Sequence, residues 1–302
     1  MKKLTLALLG LVLTGCATTR RPLPDADLRY TSGVRIAGGG AAIGRCQAPE
    51  SLKGADWRTL VQAASQCVSE KRWPLVEALA FEMSRRDLAN PWAPYFVSLS
   101  AENAREYPRA MWMIDLALKK SSQEIALFRF QKGRLWFLQQ QVVKAMLEFE
   151  AAVKQDPALV EANLFLAEVH FRDAETDQAS SYFKQALFQD ETNLRALRGL
   201  AECQIRNGKA PIAAELLARA ATAHPRDLMA RVRLGYVWEE MLRDQTKALS
   251  VFQELRASLE NGTVQGKPDF DLNMKIKLLQ NSMASGAPKP GAREVSSERS
   301  AR

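Results

Sequence analysis

The side chains here that most often do chemistry by themselves are four cysteines (Cys16, Cys46, Cys67, Cys203) and two histidines (His170, His224). A thiolate is a nucleophile and a metal ligand, and an imidazole is a general base or a ligand. Their spacing supports none of these uses. No two cysteines stand as C-x-x-C, as a metal site would need, and neither histidine has a plausible partner set at ligand spacing. There is no G-x-S-x-G, H-E-x-x-H, P-loop or convincing dinucleotide fingerprint. Gly38-Gly39-Gly40 has no strand before it and no Gly-Lys-Ser/Thr after it, so it does not read as a phosphate cradle. The pair Glu239-Glu240 fits a solvated helix face. Catalysis, a cofactor, a metal and a small-molecule substrate are not expected.

What Cys16 can do follows from the residues before it. Lys2 and Lys3 supply positive charge, and Leu4 to Leu13 form an apolar run broken only by Thr5 and Gly10. That run is about half the roughly 20 residues a spanning helix needs, so it reads as the apolar core of a signal peptide. It ends in Leu13-Thr14-Gly15-Cys16, which resembles the bacterial lipobox. The resemblance implies that residues 1–15 are removed and that Cys16 takes a diacylglycerol. Each buried methylene contributes about 0.8 kcal/mol, and two or more chains anchor stably. Ala17 follows the cysteine, where an Asp would resemble the inner-membrane retention signal. An outer-membrane anchor facing the periplasm is therefore expected.

The net charge of +8 falls to +6 when Lys2 and Lys3 leave, and it is spread along the chain rather than gathered in a run. For an exported chain this points to acidic partners or anionic envelope surfaces rather than nucleic acid. The compartment beyond the inner membrane is oxidising. Cys46 and Cys67 close a short loop where the folded part begins, and a disulfide there would contribute about 3 kcal/mol. Cys203, between Leu200 and Ile205, is expected to be a buried free thiol.

The elements that position these residues show themselves by self-similarity. Gly133, Trp136, Ala145, Phe149, Ala152 and Pro157 set a register that returns after 34 residues as Leu166, Ala167, Ala179, Phe183 and Ala186. It returns again as Leu200, Ala201, Ala213, Leu217, Ala220 and Pro225. A further copy has Leu234, Gly235 and Trp238, then Ala248 and Phe252 after one inserted residue, placed in the turn near Asp244. Small residues allow two helices to approach, large ones fill the space between units, and prolines end them.

This register resembles the tetratricopeptide repeat. The resemblance implies an all-α fold, a right-handed superhelix of about six helical pairs plus a C-terminal capping helix. The clear units are 126–159, 160–193, 194–227 and 228–260. Divergent units are 57–90 and 91–125, the latter carrying Val97, Ser98, Ala101, Ala110, Ile114 and Ala117. Asp269 is expected to cap a last helix, 269–283, with Leu272, Ile276, Leu279 and Met283 on its inner face. Residues 16–45 are expected to be a flexible tether, and 284–302 a disordered tail.

In this family the first helix of each unit lines a concave groove. Register then names Phe130, Arg134 and Phe137; Leu164, Glu168 and Phe171; Arg195, Arg198, Glu202 and Arg206; and Val232, Tyr236 and Glu239. Arginines suit carboxylates and aromatics make interface anchors, so a segment with apolar and acidic groups is the expected ligand. Arg134, Glu168, Glu202 and Tyr236 stand where a carboxylate-clamp repeat would carry asparagine, which argues against a chaperone-tail clamp. By resemblance, lipid-anchored proteins of this kind serve as pilotins of the pilus secretin or in gliding-motility complexes. Others are adaptors for peptidoglycan hydrolases or synthases, or parts of the outer-membrane protein assembly complex.

Overall fold

The computed structural model describes residues 45–123 and 125–285, so Cys16, the signal peptide and nearly all of the expected tether and tail lie outside the described residues. Six helical pairs follow one another: α1 (Trp57–Ser69) and α2 (Trp73–Arg86), α3 (Trp92–Asn103) and α4 (Tyr107–Lys120), α5 (Ala126–Leu138) and α6 (Val142–Gln155). Then come α7 (Val160–Arg172) and α8 (Thr176–Gln189), α9 (Leu194–Arg206) and α10 (Ala210–Ala223), α11 (Leu228–Tyr236) and α12 (Gln245–Glu260), with α13 (Leu272–Ala284) last. Each second helix packs on its own first helix and on the first helix of the next pair. First helices also meet each other, α3 with α5 and α7 with α9, more closely than any two second helices do. The result is an α-solenoid with its first helices on the inner side.

Every pair closes through the same kind of turn. The first helix runs into one left-handed residue, in turn Lys71, Arg105, Gln140, Ala174, Gly208 and Arg243, with φ between 57° and 71°. In the turn after α9, the Gly208 N–H bonds the Ile205 carbonyl (3.0 Å) and the Lys209 N–H bonds the Gln204 carbonyl (2.8 Å), which satisfies the last carbonyls of the helix. Only Gly208 adopts this conformation freely, since a side chain there costs roughly 1–2 kcal/mol. The one-residue insertion of the sixth pair is not in the turn. Val237–Met241 forms a π-turn, in which the Leu242 N–H reaches back five residues to Val237 (3.0 Å), so the helix itself absorbs the extra residue.

Helix starts rest on short acceptors. Asp56, Asn193, Asp227 and Asp244 each accept the amide N–H three residues on, at 2.8–3.1 Å. The last helix is capped by Asp271, through the Met274 N–H at 3.0 Å, and not by Asp269. Just before this start the chain bends at 269–270, and the Phe270 ring packs against Tyr236 and Phe252. Leu272, Ile276 and Leu279 are buried, but Met283 is largely exposed.

Three rings of the core are set against missing side chains. The edges of Phe149 and Phe252 lie where a Cβ on Gly133 or Gly235 of their own pair would stand, at 2.9 and 2.5 Å. Phe183 belongs to a pair whose matching position is Ala167, and its ring instead fills the space over Gly199 of the next pair, where a Cβ would meet it at 2.1 Å. At the N-terminal end Cys46 and Cys67 form a disulfide, with 4.6 Å between Cα atoms, that ties the chain before α1 to the end of α1. Cys203 is a buried free thiol.

Gly199→Ala should lower stability by about 1–3 kcal/mol through overpacking, read from denaturant unfolding, despite the better helix propensity of alanine. Cys46→Ser should cost about 3 kcal/mol under oxidising conditions. Because a solenoid is coupled mainly between neighbours, the loss should appear in hydrogen exchange of α1 and α2 before α9 to α12.

A candidate partner groove on the first helices

The inner face is built by α3, α5, α7, α9, α11 and α13, and the structure separates the residues that register assigned to it. Phe130 and Leu164 are buried, 4% and 3% exposed, Phe130 against Phe149 at 5.4 Å between rings. They are core residues and are withdrawn as partner contacts. Phe137 is half-buried and stacks edge-on against Phe165 at 4.8 Å. The Arg206 guanidinium sits 3.5 Å over the Phe171 ring and donates to the Phe171 carbonyl at 2.6 Å. Tyr236 is half-buried among Phe252, Phe270 and Lys275.

Arg134 and Arg195, expected to be open, are engaged by the pair before them, as are Arg233 and Lys275, which were not named from sequence. Arg134 on α5 meets Glu102 on α3 at 2.5 Å, and Arg195 on α9 meets Glu168 on α7 at 2.7 Å. Arg233 on α11 meets Glu202 on α9 at 2.6 Å, and Lys275 on α13 meets Glu239 at 2.7 Å. These pairs form a ladder along the groove. Arg134 and Glu102 are the deepest rung, with side chains 9% and 11% exposed, and Gln131 also donates to Glu102 at 2.7 Å. Removing one member of such a buried pair costs about 3–5 kcal/mol. Arg134 and Arg195 are therefore structural first.

What stays open lies toward the C-terminal half. Arg198 is 40% exposed and reaches Asp227, the cap of α11, only at 3.5 Å. Two residues beyond that cap Met229 is 52% exposed. Register could have named Met229, which stands 34 residues after Arg195. Along α9 and α11 the arginines Arg195, Arg198, Arg206, Arg231 and Arg233 outnumber Glu202 and Asp227, so this part of the groove is basic.

Glu161, also in the Arg195 register, was not singled out from sequence. Burial pushes its carboxyl above the usual range, and its own amide N–H, Arg195 and Arg134 offset that only in part. Burial likewise raises Glu168 against the pull of Arg195. The histidines stay outside the groove chemistry. His170 stacks on Tyr182 with ring centroids 5.4 Å apart and bonds Glu175 at 2.6 Å, and His224 pairs with the Thr192 carbonyl. Among the described residues no group of three or more His, Cys, Asp or Glu is placed to hold a metal ion.

Repeated pairs, matching turns and a groove walled by first helices define a solenoid of the tetratricopeptide type. Residues 160–264 match a family model described as the TT21 fifth ARM repeats domain. Among solved structures, one titled as a functional characterization of Pseudomonas aeruginosa pilF aligns with TM-score 0.57 and 13% identity, covering 74% of this chain and 96% of that one. The C-terminal part of a TPR repeat-containing protein from Cytophaga hutchinsonii aligns with TM-score 0.54 and 12% identity, covering 67% and 80%. A structure of MamA protein gives 0.51 and 15%, covering 59% and 98%. At these identities the likeness is one of fold. No curated protein matches the sequence.

A carboxyl whose folded pKa is raised holds its proton in the folded state when the unfolded chain has lost it. Its stabilising effect is complete below the unfolded value, about 4.3, and is lost as pH rises through the folded value. Glu161→Gln should therefore raise the melting temperature at neutral pH and leave it nearly unchanged below about pH 4, as read from thermal melts between acid and neutral pH.

Proposed function

We propose that this chain is a non-catalytic scaffold, anchored by lipid on Cys16 to the outer membrane and facing the periplasm. Its groove holds a protein segment that brings apolar and acidic groups to α9 and α11. One observation carries the binding mode: Arg198, which reaches only the Asp227 cap of α11, and Met229, two residues beyond that cap, stay exposed while Arg134, Arg195 and Arg233 are tied into the groove wall. A cation with one loose partner and a flexible apolar neighbour gives up little structure on binding, and a methionine adapts to varied surfaces. No helix among the described residues is long and apolar enough to cross a membrane, so in this reading Cys16 is the attachment.

The machine served is an envelope assembly, a pilus secretin or a gliding-motility complex. The fold likeness to the Pseudomonas aeruginosa pilF structure supports that choice. Crosslinking in native membranes followed by capture would test it. Secretin or motility proteins support the reading, whereas recovery of peptidoglycan enzymes or outer-membrane assembly proteins would replace it.

Arg198→Gln combined with Met229→Glu should cut partner capture at least tenfold while thermal unfolding stays put, a loss of about 1.4 kcal/mol or more. Arg195→Glu should instead lower the melting temperature, because it faces Glu168 with a like charge. Unchanged capture by the double variant would remove the groove assignment. Cys16→Ser should move the protein from the membrane to the soluble fraction, and retention on the membrane would overturn the lipid anchor.

A further inference from the structure

The groove wall leaves a second charge unanswered besides Arg198. Four inner-face glutamates each hold a cation from a following helix: Glu102 with Arg134, Glu168 with Arg195, Glu202 with Arg233 and Glu239 with Lys275. Glu161, in the first turn of α7, makes no ion pair with any of the described residues. It is half-buried, and Arg134 of α5 and Arg195 of α9 both act on its carboxylate, so it lies between two rungs of the ladder. Neither arginine is free to close on it. The Arg134 guanidinium meets Glu102 at 2.5 Å, and the Arg195 guanidinium meets Glu168 at 2.7 Å. Asp190, between α8 and α9, adds repulsion rather than a partner.

Taking an unpaired carboxylate out of water is unfavourable, and here burial pushes the carboxyl above its usual range. Glutamine would fill nearly the same space without that penalty. A side chain that weakens the fold where a neutral one would not is most often found at a functional position. Arg198 is the matching case of opposite sign. It stands on α9, is 40% exposed and reaches Asp227 only at 3.5 Å. Met229 then adds an exposed apolar side chain on α11. In order along the inner face, α7, α9 and α11 present an open anion, an open cation and an open apolar group. A segment laid across them with its charges reversed would set like charges against each other at both places, which disfavours that orientation.

We propose that the partner segment is dipolar: a lysine or arginine meets Glu161 on α7, an acidic group meets Arg198 on α9, and an apolar side chain meets Met229 on α11. This rests on the groove reading given above and adds the basic residue to it. The added contact sets the orientation of the segment as well as its place, because acid and apolar groups alone engage only α9 and α11. A cation brought to Glu161 also offsets the burial of its carboxylate, so the pair contributes more than one fully exposed to water.

Selection of random displayed peptides on the full chain tests this, because the groove then chooses its own ligand. Peptides whose binding is lost on Arg198→Gln should carry a lysine or arginine at a constant spacing from an aspartate or glutamate. In fluorescence titrations, changing that basic residue to glutamine should weaken binding roughly tenfold on the native chain and hardly at all on Glu161→Gln, the coupling that a double-mutant cycle reads. Glu161→Gln should keep its fold, which its melting temperature checks. Arg198-dependent peptides that lack a basic residue overturn the proposal and leave the groove reading standing. So do peptides whose basic residue matters equally on Glu161→Gln. If no selected peptide depends on Arg198, the groove reading falls and this proposal falls with it.

Discussion

A pair of short helices cannot bury enough apolar surface to hold itself together, and here three phenylalanine rings press against positions that have no room for a side chain. These are Phe149 on Gly133, Phe183 on Gly199 and Phe252 on Gly235. A glycine inside a helix costs about 1 kcal/mol relative to alanine, so its presence at these places needs a return. The return is close approach: a buried phenylalanine contributes about 1.5–3 kcal/mol and its ring fixes the distance between helices. Because Phe183 leans on the following pair rather than its own, the same interaction that closes pairs also couples them. The spacing of the solenoid, and hence of every side chain in the groove, follows from where these rings are allowed to sit.

The second constraint is electrostatic and runs along the inner face. Once the rings fix the distance between successive first helices, a glutamate on one and a basic residue on the next come within reach, and four such pairs form from α3 to α13. They do not contribute equally. Glu102 with Arg134 is nearly dry and costs most to break, whereas Glu202 with Arg233 is a third or more exposed and contributes at most about 1 kcal/mol. Burial varies along the ladder: the rung from α3 to α5 is driest, the rung from α9 to α11 is the most exposed, and the last, from Glu239 to Lys275, lies between them.

The repeat register was legible because it depends on residue size at fixed spacing, and size survives in a single sequence. Six pairs and the buried Cys203 follow from that logic. The groove was legible only as a stripe. Register says which face of α5 carries Phe130 and Arg134, but not that Phe149 closes over one and Glu102 takes the other. The ladder escapes a fixed-period reading because its rungs span 32, 27, 31 and 36 residues. No constant offset links them, and only the packed helices bring them together. The π-turn of Val237–Met241 escaped for a related reason. An inserted residue shifts the register whether it enters a loop or a helix, and a choice between the two rests on backbone hydrogen bonds.

The division into dry and open stretches bears on how a solenoid could select a partner segment. If every groove arginine were free, an acidic segment could bind at many offsets along the solenoid, and the groove would hold charge without fixing position. Pairing Arg134 and Arg195 internally removes those positions from that set, while Arg198 and Met229 stay exposed. The disulfide at Cys46–Cys67 acts at the other end, fixing the point where the chain enters the first pair. The deepest rung of the ladder, Glu102 with Arg134, spans the junction between the second and third pairs, so in a solenoid coupled mainly between neighbours a nearly dry ion pair adds to the packing that links the N-terminal pairs to the groove.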